Sequence, residues 1–149
     1  MDSAVKYINL IARCTALYRN GKLENEGLNG YQHGYILGIC QNPGLSQEQL
    51  AKAVCTHKSS VTRQLALLEQ NGFITRIPGE TDKRIMRVFP TRKAFDILPK
   101  IRELLAEWNS YLLSGLTEEE LHSLLSMLKQ IAEKARKKAD KEMENEENA

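Results

Sequence analysis

The chain has 149 residues, 42% of them apolar and 27% charged, with a formal net charge of +2. That length suits one domain with its own core, residues 1–149, and the proportions exclude a fibrous or membrane-spanning protein, since no apolar run approaches the roughly 18 residues a span requires. A charge of +2 excludes a polycation, so any affinity for nucleic acid has to come from where the basic residues sit.

Residues 3 to 20 read as a first helix, with Ser3 as its cap, Val5, Ile8, Ala12 and Leu17 as its apolar stripe, and Asn20-Gly21 as its end. The opening MDSAVKYINL lacks a basic stretch leading into a long apolar core, so no secretory signal is expected. Cys14, Cys40 and Cys55 are odd in number and form no Cys-x-x-Cys pair. They read as the reduced, small buried thiols of a cytoplasmic protein. After the loop GKLENEGLNG, the stretch YQHGYILGICQ reads as a second helix stopped by Asn42-Pro43-Gly44. Gly34 and Gly38 within it each weaken the helix by about 1 kcal/mol relative to alanine, which calls for a neighbour approaching closely there.

Residues 45 to 93 carry the most chemistry. Ser46 with Gln49 forms a capping-box signature, and Leu50, Ala51 and Val54 give the short helix that follows one narrow apolar face. Cys55, Thr56 and His57 separate it from a second pattern, Val61, Leu65 and Leu68, which stops at Asn71-Gly72. Two helices joined by a short turn make a helix-turn-helix. At about 100° per residue, with Val61 inward, Ser59, Arg63 and Gln70 point outward and Ser60 and Thr62 flank them. Lys58 sits in the first turn, where a phosphate would pass. Short hydroxyl side chains around one arginine suit a helix lying in the major groove of duplex DNA, where arginine donates two bonds to guanine. The same face is also what any amphipathic helix shows to water.

From Gly72 the period shortens from helical to alternating, and 73 to 77 and 85 to 89 read as two short strands around PGETDKR. Their hairpin tip carries Glu80, Asp82, Lys83 and Arg84, and an arginine there suits the adjacent minor groove, with Asp82 holding it in position. From 57 to 93, eight lysines and arginines face three acidic residues, and Arg76, Arg87 and Lys93 are placed for phosphates. Beyond Thr91, Ala94, Ile97, Leu98, Ile101, Leu105, Trp108 and Leu112 mark a long helix containing Pro99. Thr117 with Glu120 caps a last one, whose stripe runs from Leu121 to Ala135 before a charged tail expected to fray from Lys137.

The fold class is therefore mainly α with a small β-hairpin: a winged helix-turn-helix over 45–93 with flanking dimerisation helices at 1–20 and 94–140. LSQEQLAKAV, VTRQLALLEQNGFI and Asp82-Lys83-Arg84 running into Pro90-Thr91 resemble the multiple antibiotic resistance regulator (MarR) family over nearly the whole chain, though Pro90 stands where the family usually has leucine. The resemblance implies a homodimeric transcription regulator, more often a repressor, with its second motif helix in the major groove and its wing arginine in the minor groove. An inverted-repeat operator follows. It also implies an affinity that changes when a small-molecule effector enters a crevice between dimer helices and winged module. Tyr7, Tyr18, Tyr35 and Trp108 are candidates for lining that crevice, core packing being the alternative for each.

Other readings stay open: a winged helix serving as a protein-interaction module, or a thiol-based redox-sensing regulator acting through Cys14, as in some members of the resembled family. No enzyme, cofactor or metal is expected. His33, His57 and His122 lack ligand spacing, no serine occupies a nucleophile-elbow sequence, and no glycine-rich phosphate loop occurs.

Overall fold

A computed structural model describes residues 2–149, and their elements follow one another in the order α1 (Ala4–Leu23), α2 (His33–Gln41), β1 (Leu45–Ser46), α3 (Gln47–Val54), α4 (Lys58–Gln70), β2 (Ile74–Pro78), β3 (Met86–Pro90), α5 (Arg92–Leu112) and α6 (Glu118–Glu147). The chain divides into two compact units, one ending at Trp108 and one running from Asn109 to Ala149. The fold is mainly helical, with a three-stranded antiparallel sheet ordered β1-β3-β2. No described helix is long and apolar enough to cross a membrane.

In the first unit the apolar faces of α2, α3, α4 and α5 meet the sheet around Leu50, Leu65, Leu68, Phe73, Val88 and Ile101, all essentially inaccessible. Each large side chain removed from water there contributes about 1.5–3 kcal/mol. Ser46 caps α3 as its sequence promises, its hydroxyl accepting the Gln49 N–H at 3.1 Å while the Gln49 amide oxygen takes the Ser46 N–H at 3.0 Å. α4 ends at Gly72, whose φ of +80° lets the Phe73 N–H reach back to the Leu68 carbonyl at 2.9 Å.

Several boundaries differ from expectation. α1 runs past Asn20-Gly21 to Leu23, because its stop is Gly27, at φ +82°, after one 3-10 turn over Glu24–Glu26. Ser3 holds the cap position without a capping hydrogen bond. α2 starts only at His33, the residues before it belonging to the turn that leads in. The two hairpin strands lie one residue later than alternation suggests, since the Phe73 N–H closes α4 and the Ile85 N–H closes the hairpin turn on the Asp82 carbonyl. Pro78 and Pro90 take the strand ends, where a missing donor costs little. β1 is new. Its two residues pair with β3 at Leu45 to Val88 and Ser46 to Arg87.

Of the two glycines expected to meet a close neighbour, Gly38 packs on Leu50, 3.7 Å from where a Cβ would lie, and Gly34 has nothing within 4 Å; the tightest approach is at Gly30, where a Cβ would lie 2.2 Å from the Ala16 carbonyl oxygen. α6 stays helical to Glu147 instead of fraying from Lys137, its Lys- and Glu-rich end favouring helix and carrying an i,i+4 pair between Lys138 and Glu142. Cys14 and Cys55 are exposed rather than buried, and Cys40 is half-buried.

Candidate nucleic-acid interface

The helix-turn-helix is built by α3 packing on α4 across a turn that contains no glycine. Cys55 makes that turn at φ +54°, as the one described non-glycine residue in the left-handed region, so the Thr56 N–H can bond the Ala51 carbonyl at 3.1 Å. With Val61, Leu65 and Leu68 buried, the opposite face of α4 presents Lys58, Ser59, Thr62 and Arg63 to solvent, and Ser60 lies half-buried at its edge. Among the described residues the Arg63 side chain makes no hydrogen bond or ion pair. Thr62 donates to the Lys58 carbonyl at 2.9 Å, and the Lys58 ammonium lies 3.7 Å from Glu48.

The hairpin tip is preset by Asp82. Its carboxylate accepts the Arg84 backbone N–H and two N–H groups of the Arg84 guanidinium, which holds its pKa below the ordinary aspartate value. The turn closes tightly. A Cβ on Gly79 would lie 2.7 Å from the Asp82 carbonyl oxygen, so only glycine fits beneath the tip. The Arg84 side chain is 91% exposed, and Lys83 beside it is exposed too.

One cleft of about 260 Å³ joins these parts, lined by Ser46, Gln47, Glu48, Lys58, Thr62, Arg84, Ile85 and Met86. The first turns of α4 and the wing arginine therefore border the same depression. The three cations expected at phosphates hold partners within the protein. Arg76 bonds Glu69 at 3.1 and 3.4 Å and Gln47 at 3.3 Å, drawing the Glu69 pKa down, and its side chain is only 21% exposed. Arg87 donates to the Gly44 carbonyl at 3.1 Å. Lys93 donates to the Asn71 carbonyl at 2.7 Å and lies over the Phe73 ring, closing the C-terminal end of α4.

Of the four aromatic residues expected around an effector, Tyr18 and Trp108 stack on each other at 4.3 Å and the Trp108 indole N–H donates to Thr15. Tyr7 is exposed on α1, and Tyr35 is buried in the core. Tyr35 does reach a second cavity, about 370 Å³, with Tyr31, Val54, Cys55, Thr56, Ser60 and Gln64. The contacts of Gln47, Glu48, Gln64 and Glu69 with this surface had no sequence signature, because each depends on a residue distant in the chain. No group of described His, Cys, Asp or Glu side chains is arranged to hold a metal ion.

The MarR family model matches residues 32–86 of this chain. A protein of Bacillus subtilis (strain 168), the uncharacterized HTH-type transcriptional regulator YybA, is 30% identical over 131 residues, covering 88% of this chain and 87% of its own length. The crystal structure of the transcriptional regulator SlyA superposes with a TM-score of 0.89 at 27% identity, over 93% of this chain and 98% of that one. A MarR family regulator from Listeria monocytogenes, solved in complex with a 26mer DNA, gives 0.86 at 28% identity over 93% of both chains.

Proposed function

The chain belongs to the MarR family of transcriptional regulators, and on that premise we propose that it binds an inverted-repeat operator in double-stranded DNA as a homodimer and represses transcription until a small-molecule effector releases it. The observation that carries the DNA reading is the shared cleft: Lys58 and Thr62 of α4 and Arg84 of the wing border one depression. A duplex laid across it meets α4 in one groove and the hairpin tip in the next.

In this reading Ser59, Ser60, Thr62 and Arg63 face base edges, and Lys58 meets a phosphate. Lys83 and Arg84, steadied by Asp82, enter the minor groove. Arg87 and Lys93 have N–H donors left over for phosphate, whereas Arg76 is proposed as a brace between β2, α3 and α4. The dimer rests on exposed apolar side chains: Val5, Ile8, Ile11 and Leu17 on α1, and Leu125, Met127, Leu128 and Ile131 on α6, a helix with no buried residue. Such surfaces mark association sites. Pairing would set two recognition helices about 34 Å apart, one turn of DNA. The effector site is proposed at the 370 Å³ cavity beside α4, which places Tyr31 and Tyr35 there in place of Tyr7, Tyr18 and Trp108.

Fluorescence anisotropy with random duplex DNA, titrated with salt, tests the proposal. Binding that weakens steeply with salt is expected, and affinity indifferent to salt sinks it. Light scattering at micromolar concentration gives a dimer, and a monomer there overturns the inverted-repeat operator.

A further inference from the structure

The segment joining α1 to α2 runs along one flank of α4 and is bonded to it at two points, by three hydrogen bonds. The Gln64 side-chain oxygen accepts N–H groups from Asn29, at 3.2 Å, and from Gln32, at 3.0 Å. Seven residues on, the Asn71 amide donates to the Gly27 carbonyl at 3.2 Å. Seven residues return a helix to nearly the same face, so the three bonds grip one stripe, which adjoins Ser60 at the edge of the outward face. The segment is itself pinned to α1. Arg19 donates to the Gly30 carbonyl at 2.8 Å, and Gly30 lies so close to Ala16 that no side chain fits between them.

We infer that Gln32 and Gln64 are positioning residues that set the rotation of α4 about its own axis, and through it the sequence preference of the protein. The inference rests on the DNA-binding reading above. Val61, Leu65 and Leu68 keep α4 in the core, but apolar contact is non-directional and tolerates a small rotation. Amide hydrogen bonds do not. Gln32 is only 2% exposed and its own oxygen is occupied by the Asn29 N–H at 2.9 Å, so it reaches DNA only through Gln64. Loss of the Gln64 amide leaves the buried Gln32 N–H without its acceptor, and loss of the Gln32 amide leaves Gln64 held by Asn29 alone, so either change loosens the helix against rotation. Base edges register that rotation sharply, whereas phosphates, met by long flexible cations, register it little.

The test starts from the duplex that wild-type protein enriches from a randomised pool, with a scrambled duplex of equal length as reference. Affinity for both, and the melting temperature, are measured for wild type, Gln32→Leu, Gln64→Leu and the double variant. Each single variant is expected to lose about tenfold in the ratio of selected to scrambled affinity, with scrambled binding kept within about twofold. The double variant is expected to lose no more than Gln64→Leu alone, because the Gln32 bond is among those that Gln64→Leu already removes. Losses that multiply, or that fall equally on both duplexes in step with melting temperature, overturn the inference, as does an unchanged ratio. If Gln32→Leu fails to fold, Asn71→Ala carries the same comparison from a more exposed bond. A wild-type protein that enriches no duplex overturns the DNA reading and this inference with it, and enrichment with unaffected variants overturns the inference alone.

Discussion

Arg84 donates from Nε and Nη2 to the two carboxylate oxygens of Asp82, each at 3.1 Å, and its backbone N–H donates to Asp82 Oδ1 at 3.0 Å. An acidic residue at the edge of a DNA-facing surface repels phosphate, so its presence needs a compensating role. In the proposed docking the role is geometric: the carboxylate fixes the plane and direction of the guanidinium in advance, which lowers the ordering cost. Asp82→Ala is therefore expected to weaken operator binding about fivefold to tenfold despite removing a negative charge, and Arg84→Lys to weaken it too, lacking the planar fork. Tighter binding by Asp82→Ala in an anisotropy titration contradicts this.

Arg63 and Lys58 lie five residues apart on α4 and should fail differently. If Arg63 faces a base edge as proposed, Arg63→Ala is expected to cost about 1–3 kcal/mol on the operator and to relax preference at one base pair. With Lys58 at a phosphate, as proposed, Lys58→Ala is expected to weaken all duplexes alike and to reduce the log–log salt slope by about one unit. Salt titrations on operator and random duplex separate the two. Identical behaviour of the two variants would mean that α4 does not read bases.

His33 gives stability a pH dependence. Burial, then the nearby Arg19 charge, lowers its pKa from 6.5 to about 4, outweighing an opposing hydrogen bond with the Gly30 backbone. Between those values the unfolded chain binds a proton that the folded chain refuses, so acid favours unfolding. The His33 contribution is complete above pH 6.5 and is lost as pH falls toward 4. Melting temperature is expected to drop from pH 7 to pH 5, with a shallower drop in His33→Gln. Equal slopes in the two proteins would rule out His33 as the cause.

Much of the winged module was legible because local signals agree there. The capping box at Ser46, the stop at Asn71-Gly72 and the change of period after it each depend on residues close in sequence. Even the Asp82 to Arg84 grip spans only two positions. What escaped depends on distance or on backbone that side-chain chemistry does not announce. Cys55 takes a left-handed conformation usually marked by glycine or asparagine, and β1 exists only because β3 offers it a partner. The internal partners of Arg76, Arg87 and Lys93 come from 7 to 43 residues away, so a count of positive charges could not show them engaged. Gly30 and Gly34 look alike in the sequence. Only the packing of the α1–α2 segment on Ala16 distinguishes them.

Ser3 and Ser46 both read as helix caps, and the structure separates them. Ser46 is buried, exchanges two hydrogen bonds with Gln49 and at the same time pairs with Arg87 in the sheet, so it fixes the start of α3 against the base of the wing. Ser3 sits at the start of α1 with extended backbone and no capping hydrogen bond. Ser46→Ala is expected to cost about 1 kcal/mol, within the range measured for lost caps, because the Gln49 N–H then loses its acceptor in a partly buried setting. Ser3→Ala should leave stability unchanged. Urea unfolding of the two variants beside wild type decides it: a shifted midpoint for Ser46→Ala alone fits this account, and equal shifts in both would mean that the observed hydrogen bonds do not set the difference between the two caps.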